Sequence, residues 1–75
     1  MSTQAVLIRE VKDLRPGDYF LAPGACTGFR LHPESGEIVR LNDGASVTGL
    51  FPRDNRVVLV AREVAVAAAL AYRNS

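Results

Sequence analysis

The sequence predicts a mostly β fold, a small sheet of five to six short antiparallel strands followed by one C-terminal helix. Three observations lead there. Turn-forming clusters recur at short intervals, the stretches between them have the length of short strands, and the closing run is rich in alanine and leucine, which favour helix.

The turn clusters are Arg15-Pro16-Gly17-Asp18, Pro23-Gly24, Pro33-Glu34-Ser35-Gly36, Asn42-Asp43-Gly44 and Pro52-Arg53-Asp54-Asn55. Proline presets φ early in a turn and glycine accepts the positive φ needed later. The clusters delimit six strand-length segments, at 5–11, 18–22, 28–32, 37–41, 45–51 and 56–62.

Register follows from the turns. A three-residue loop at Glu34-Ser35-Gly36, a type I turn followed by a left-handed glycine, sets Phe29 opposite Leu41, Arg30 opposite Arg40 and Leu31 opposite Val39. The same geometry at Asn42-Asp43-Gly44 sets Leu41 opposite Ala45 and Val39 opposite Val47, so the two turns agree. One face of this meander is Phe29, Leu31, Val39, Leu41, Ala45 and Val47, the expected core, and the other carries Arg30, His32, Ile38, Arg40, Ser46 and Thr48. A four-residue loop at Pro33–Gly36 would set Arg40 opposite Phe29 on the inner face, a charge without a named partner, and is rejected on that ground. Gly49 interrupts the alternation and is expected at a bulge or sharp bend. Val57-Val58-Leu59-Val60 is continuously apolar and is expected as the central strand.

The helix is expected at about 63–73, where the terminal Arg73 suits the negative helix end. Alternation at Val64 and Val66 offers a few more residues of strand as the competing reading. Between Val64 and Tyr72 there is no charged or strongly polar side chain, so the helix has no polar face. A chain this short covers only part of such a helix. The exposed remainder marks an interaction surface, with Val64, Val66, Ala67, Leu70 and Tyr72 as its expected residues. The opposing consideration is that alanine is weakly hydrophobic and tolerated on wet helix surfaces.

Length and composition limit what else the chain can be. Its 75 residues make one domain with one modest core, and 48% of them are apolar. Cys26 is the single cysteine, so no intrachain disulfide forms. Cys26 and His32 lack the paired ligands that a zinc site needs, and neither metal nor cofactor is expected. Stability is then expected to come from packing, self-association or a partner that completes the core. The net charge of +1 announces no bulk attraction to nucleic acid or membrane. Eight of the nine basic residues are arginine, a bias that suits phosphate or carboxylate forks and equally suits a GC-rich genome. The first residues lack a basic region followed by a long apolar run, and no stretch approaches the roughly 20 apolar residues of a membrane span. The expected location is the cytoplasm, the host cytoplasm if a phage encodes the chain.

The run Val11-Lys-Asp-Leu-Arg-Pro-Gly-Asp-Tyr-Phe20, with short strands after it and a closing strand after Asp54-Asn55-Arg56, resembles the small SH3-like β-barrels, including small proteins of bacteriophages and their hosts. The resemblance spans roughly residues 11 to 61. It implies a partly open barrel whose remaining edges or loops bind a partner, and it carries over no functional residue. The helix is an addition to the minimal barrel, placed to plug one end or to dock on a neighbouring subunit.

Catalytic readings fail on spacing. Cys26 and His32, with Asp18 or Asp43 as the orienting acid, lie about 20 Å apart on an extended strand, beyond hydrogen-bond reach. The Pro23–Gly28 loop has two glycines but neither the Gly-Lys-Ser/Thr ending nor a following helix that a phosphate cradle needs. The register places Arg30 beside Arg40 with His32 on the same face, and Arg53 and Arg56 lie close in the chain. These five are the expected anion or nucleic-acid residues, unless Glu34 or Glu37 neutralises the pair. Tyr19 and Tyr72 are the aromatics available for base stacking, and neither is expected on that face. Three functions follow from different classes: a protein-interaction module that self-associates or docks through its helix, a nucleic-acid or nucleotide binder using the arginines, and a structural part of a phage particle.

Overall fold

The computed structural model describes residues 7–25 and 27–73, so Ala5, Val6 and Cys26 lie outside the described residues. The described residues form five strands and one helix: β1 Leu7–Glu10, β2 Tyr19–Leu21, β3 Gly28–Leu31, β4 Ile38–Arg40, β5 Arg56–Val60 and α1 Arg62–Arg73. Short 3-10 turns occupy Val11–Asp13 and Thr48–Leu50. The sheet is antiparallel throughout, in the order β1-β5-β2-β3-β4.

The turns form by the chemistry their residues dictate. At Arg15–Asp18 the Asp18 N–H donates to the Arg15 carbonyl, and the Asp18 carboxylate accepts the Arg15 N–H at 2.8 Å. Gly17 takes φ +88° there, as a turn with proline before it requires.

The turns between β3 and β4 and after β4 each hold one residue more than predicted. The His32 N–H donates to the Glu37 carbonyl and the Gly36 N–H to the His32 carbonyl, closing a four-residue loop at Pro33–Gly36. The Arg40 N–H donates to the Ala45 carbonyl and the Gly44 N–H to the Arg40 carbonyl, closing another at 41–44. Both loops end on a glycine with positive φ, the feature that also fits the shorter loop. The register therefore moves by one residue: Phe29 pairs with Arg40, Arg30 with Val39 and Leu31 with Ile38. Ile38 is buried in the core, and Val39 turns to the opposite face. The charge that argued against this register is accommodated by its own side chain. Arg40 ends its strand, and its guanidinium reaches out to Asp43.

The segment 45–51 is likewise not a full strand. It makes one bridge, Ser46 to Val39, and then bends into the 3-10 turn that contains Gly49. The Thr48 hydroxyl accepts the Ile38 N–H at 2.9 Å and ties this bend to β4. The apolar run of β5 is an interior strand between β1 and β2, while β2 is the central one. Val64 and Val66 belong to α1 and do not prolong β5.

One side of the sheet holds the core: Leu14, Phe20, Phe29, Ile38, Val47 and Val57, with Phe51 and Leu59 packed against it. Phe20 stacks on Phe29 with ring centroids 5.6 Å apart, and Phe51 meets both edge-on. The other side receives α1, which lies across β2 and β3. Ala65 and Ala69 are its buried residues, and the small partner beneath is Gly28. A Cβ on Gly28 would fall 2.8 Å from the Ala65 backbone carbons, so the helix sits closer to β3 than any other residue there permits.

Candidate interaction surface

α1 touches the sheet through its smallest side chains, which leaves its large ones outside. Ala65 is fully buried and Ala69 nearly so, whereas Val64 is 48% exposed, Val66 37%, Leu70 51% and Tyr72 47%. The sequence-predicted interface residues do not share one face. Val66, Ala67 and Leu70 line a shallow groove with Arg62 and Glu63. Val64 lies two residues from Val66, roughly 200° around the helix axis. Tyr72 turns instead toward a cleft at the end of the sheet, where it stands near Arg40.

Glu63 lies in the first turn, where a carboxylate suits the positive helix end. The groove is thus an apolar pair one helical turn apart, edged at one end by charges of both signs. Elsewhere on the surface Leu7 and Ile8 are also exposed, on the edge strand β1. The opposite edge, β4, is covered in part by the segment that bonds to Arg40 and Ile38.

The predicted arginine cluster is not assembled. Because β3 and β4 pair one residue out of the expected register, Arg30 and Arg40 face opposite sides of the sheet. Arg40 binds Asp43 through Nε at 3.1 Å and Nη2 at 2.7 Å. The neutralising partner is therefore Asp43, while Glu37 accepts a hydrogen bond from the Ser46 hydroxyl. The hydrogen bonds from Arg40, then that from the Ala45 N–H, hold the Asp43 carboxyl down at about 2, below its ordinary 3.8, and the same pairing raises Arg40. Arg30 pairs across the strands with Tyr19, its guanidinium 5.5 Å from the ring centroid, so an aromatic does lie on the face of Arg30. His32 serves its own turn: Nδ1 accepts the Glu34 and Ser35 N–H groups at 3.2 Å each. Arg53 and Arg56 are exposed, and only Arg56 shares a cleft with Arg40.

The Cys26–His32 dyad involves a residue outside the described ones. Among the described residues no group of three or more His, Cys, Asp or Glu is placed to hold a metal ion, and no helix is long and apolar enough to cross a membrane. Comparison with known proteins finds no matching family model, no matching curated protein and no matching solved structure.

Proposed function

We infer that this chain is a small non-enzymatic protein-interaction module that self-associates through the outward groove of α1. One observation carries the reading. The residues that the helix buries against its own sheet are Ala65 and Ala69, while Val66 stays 37% and Leu70 51% exposed one turn apart. Fully burying such side chains stabilises a contact by about 1.5–3 kcal/mol each, so two half-exposed ones on each of two copies supply a few kcal/mol. Association itself costs at least about 4 kcal/mol. The contact is therefore weak and concentration-dependent unless a larger partner covers more of the surface.

Light scattering across a concentration series tests this. The wild-type mass is expected to rise from 8.1 kDa toward twice that value, and Leu70→Glu is expected to stay monomeric while keeping its fold. Wild type and variant both running as monomers of equal stability would sink the reading.

The five short antiparallel strands, with the last returning beside the first, support placing the chain among SH3-like partly open barrels. Within this proposal the chain acts as a cytoplasmic phage accessory protein on a host or phage protein, with a structural role in a phage particle as the alternative. Nucleic-acid or nucleotide binding is the second reading and keeps one supporting observation, the Arg30–Tyr19 pair. Salt-dependent binding to single-stranded nucleic acid, lost in Arg30→Ala, would select it.

A further inference from the structure

A cleft of about 670 Å³ opens at the end of the sheet, between Ala22–Ala25 and Thr27 on one side, Val47, Leu50 and Phe51 on another, the start of β5, and Tyr72 at the end of α1. That volume lies within the range of small-molecule sites, roughly 300–1,000 Å³. Its floor is the apolar core itself, with Phe29 and Phe51 meeting edge to face at 5.0 Å. Among the described residues its charged lining residues are Arg40 and Arg56, and no carboxylate lines it.

The two arginines are not equivalent. Arg40 is balanced by Asp43. The Arg56 side chain makes no hydrogen bond or ion pair with any described residue. Thr27, also in the lining, is 4% exposed, and its hydroxyl has no hydrogen-bond partner among the described residues. A buried polar atom left unpaired is costly, and a ligand group or a water can relieve it.

We propose that this cleft binds a small amphipathic anion, an aromatic group carrying a single carboxylate. The aromatic wall takes the ring, because edge and offset contacts with Phe29 and Phe51 add to the area buried. Arg56 takes the carboxylate, since a planar guanidinium forks onto both oxygens. Glu10 stands opposite Arg56 across the strands and shares a second cleft with it, but its ion pair is with Lys12, so Arg56 is the cation of the cleft left to match one negative charge. A polyphosphate backbone needs several such cations in a row, which this cleft does not offer. The same chemistry comes from a free aryl carboxylate or from the C-terminus of a peptide that ends in phenylalanine.

Amide chemical-shift titration of the whole chain decides the matter. The probes are N-acetylphenylalanine, its neutral amide, and a short peptide ending in phenylalanine with a free or an amidated terminus. Saturable shifts are expected at Thr27, Phe51 and Arg56. Affinity is expected to fall about tenfold or more for the neutral probes and for Arg56→Gln, the loss of a charge-assisted hydrogen bond. Arg53→Gln, an exposed arginine outside the cleft, is expected to leave affinity unchanged. Tighter binding of the free-terminus peptide than of N-acetylphenylalanine assigns the cleft to peptide termini, and equal binding assigns it to free carboxylates. No saturable shift with any probe, equal binding of charged and neutral probes, or shifts confined to Val66–Leu70 on α1 would overturn the proposal.

Discussion

The tightest contact between helix and sheet is also the easiest to perturb. In Gly28→Ala the new Cβ would sit 2.8 Å from Cα and C of Ala65 and closer still to the Ala65 carbonyl oxygen, short of the 3.4 Å at which ordinary contact begins. All three are backbone atoms of α1, so no side chain can swing aside. Either the helix lifts from β3 or the strand bends. Overpacking of this kind costs about 1–3 kcal/mol. Replacing glycine with alanine returns about 0.4–1 kcal/mol by restricting the unfolded chain, because the φ of Gly28 is not in the left-handed region.

The net loss is then about 1–2 kcal/mol, a large share of what a domain of this size possesses. Urea denaturation measures it. With a slope of about 1 kcal/mol/M for a small chain, the midpoint is expected to fall by about 1–2 M. Gly49→Ala is the control, since nothing lies within 4 Å of a Cβ there and φ is again permissive. It is expected to be neutral or stabilising by up to about 1 kcal/mol. Equal midpoints for Gly28→Ala and Gly49→Ala would refute the claim that α1 rests on the Gly28 backbone.

Two further perturbations address the bends that set the register. Thr48→Val keeps the side-chain shape but leaves the part-buried Ile38 N–H without its acceptor, at a cost of about 1–3 kcal/mol. Thermal unfolding is expected about 4–8 °C lower per kcal/mol lost, and an unchanged midpoint would count against the bond. Asp43 is held near 2 by Arg40 and the Ala45 N–H, so its contribution to stability is complete above the ordinary carboxylate value of 3.8 and disappears as pH falls through about 2. In Arg40→Met the Asp43 carboxyl, followed by side-chain carbon shifts, is expected to titrate closer to 3.8. A midpoint that does not move would show that the ion pair is not formed in solution.

Elements whose cause is local were legible in the chain. Arg15-Pro16-Gly17-Asp18 makes its turn through its own proline, glycine and carboxylate, and the Ala-rich run from Arg62 to Arg73 is helical because those residues favour helix. The surplus of apolar surface on that helix was equally readable, since no polar side chain lies between Val64 and Tyr72. What covers which part of it was not. Helix periodicity cannot say that α1 turns Ala65 and Ala69 inward, because that choice depends on the space above Gly28, a residue that carries no local signal of its role.

Register was decided at the same tertiary level. Gly36 and Gly44 suit a three- or a four-residue loop equally well, so two consistent turns gave two consistent one-residue errors. The correct choice rests on contacts distant in sequence or outside the strands: Ile38 in the core, its N–H on Thr48, and Arg40 reaching Asp43. The one-residue difference then decided which arginines share a face, and it separated Arg30 from Arg40. Composition and turn chemistry act within a few residues, and that range determined the elements of this protein. Pairing and docking compare surfaces across the whole chain, and those comparisons alone decided its faces, its groove and its cleft.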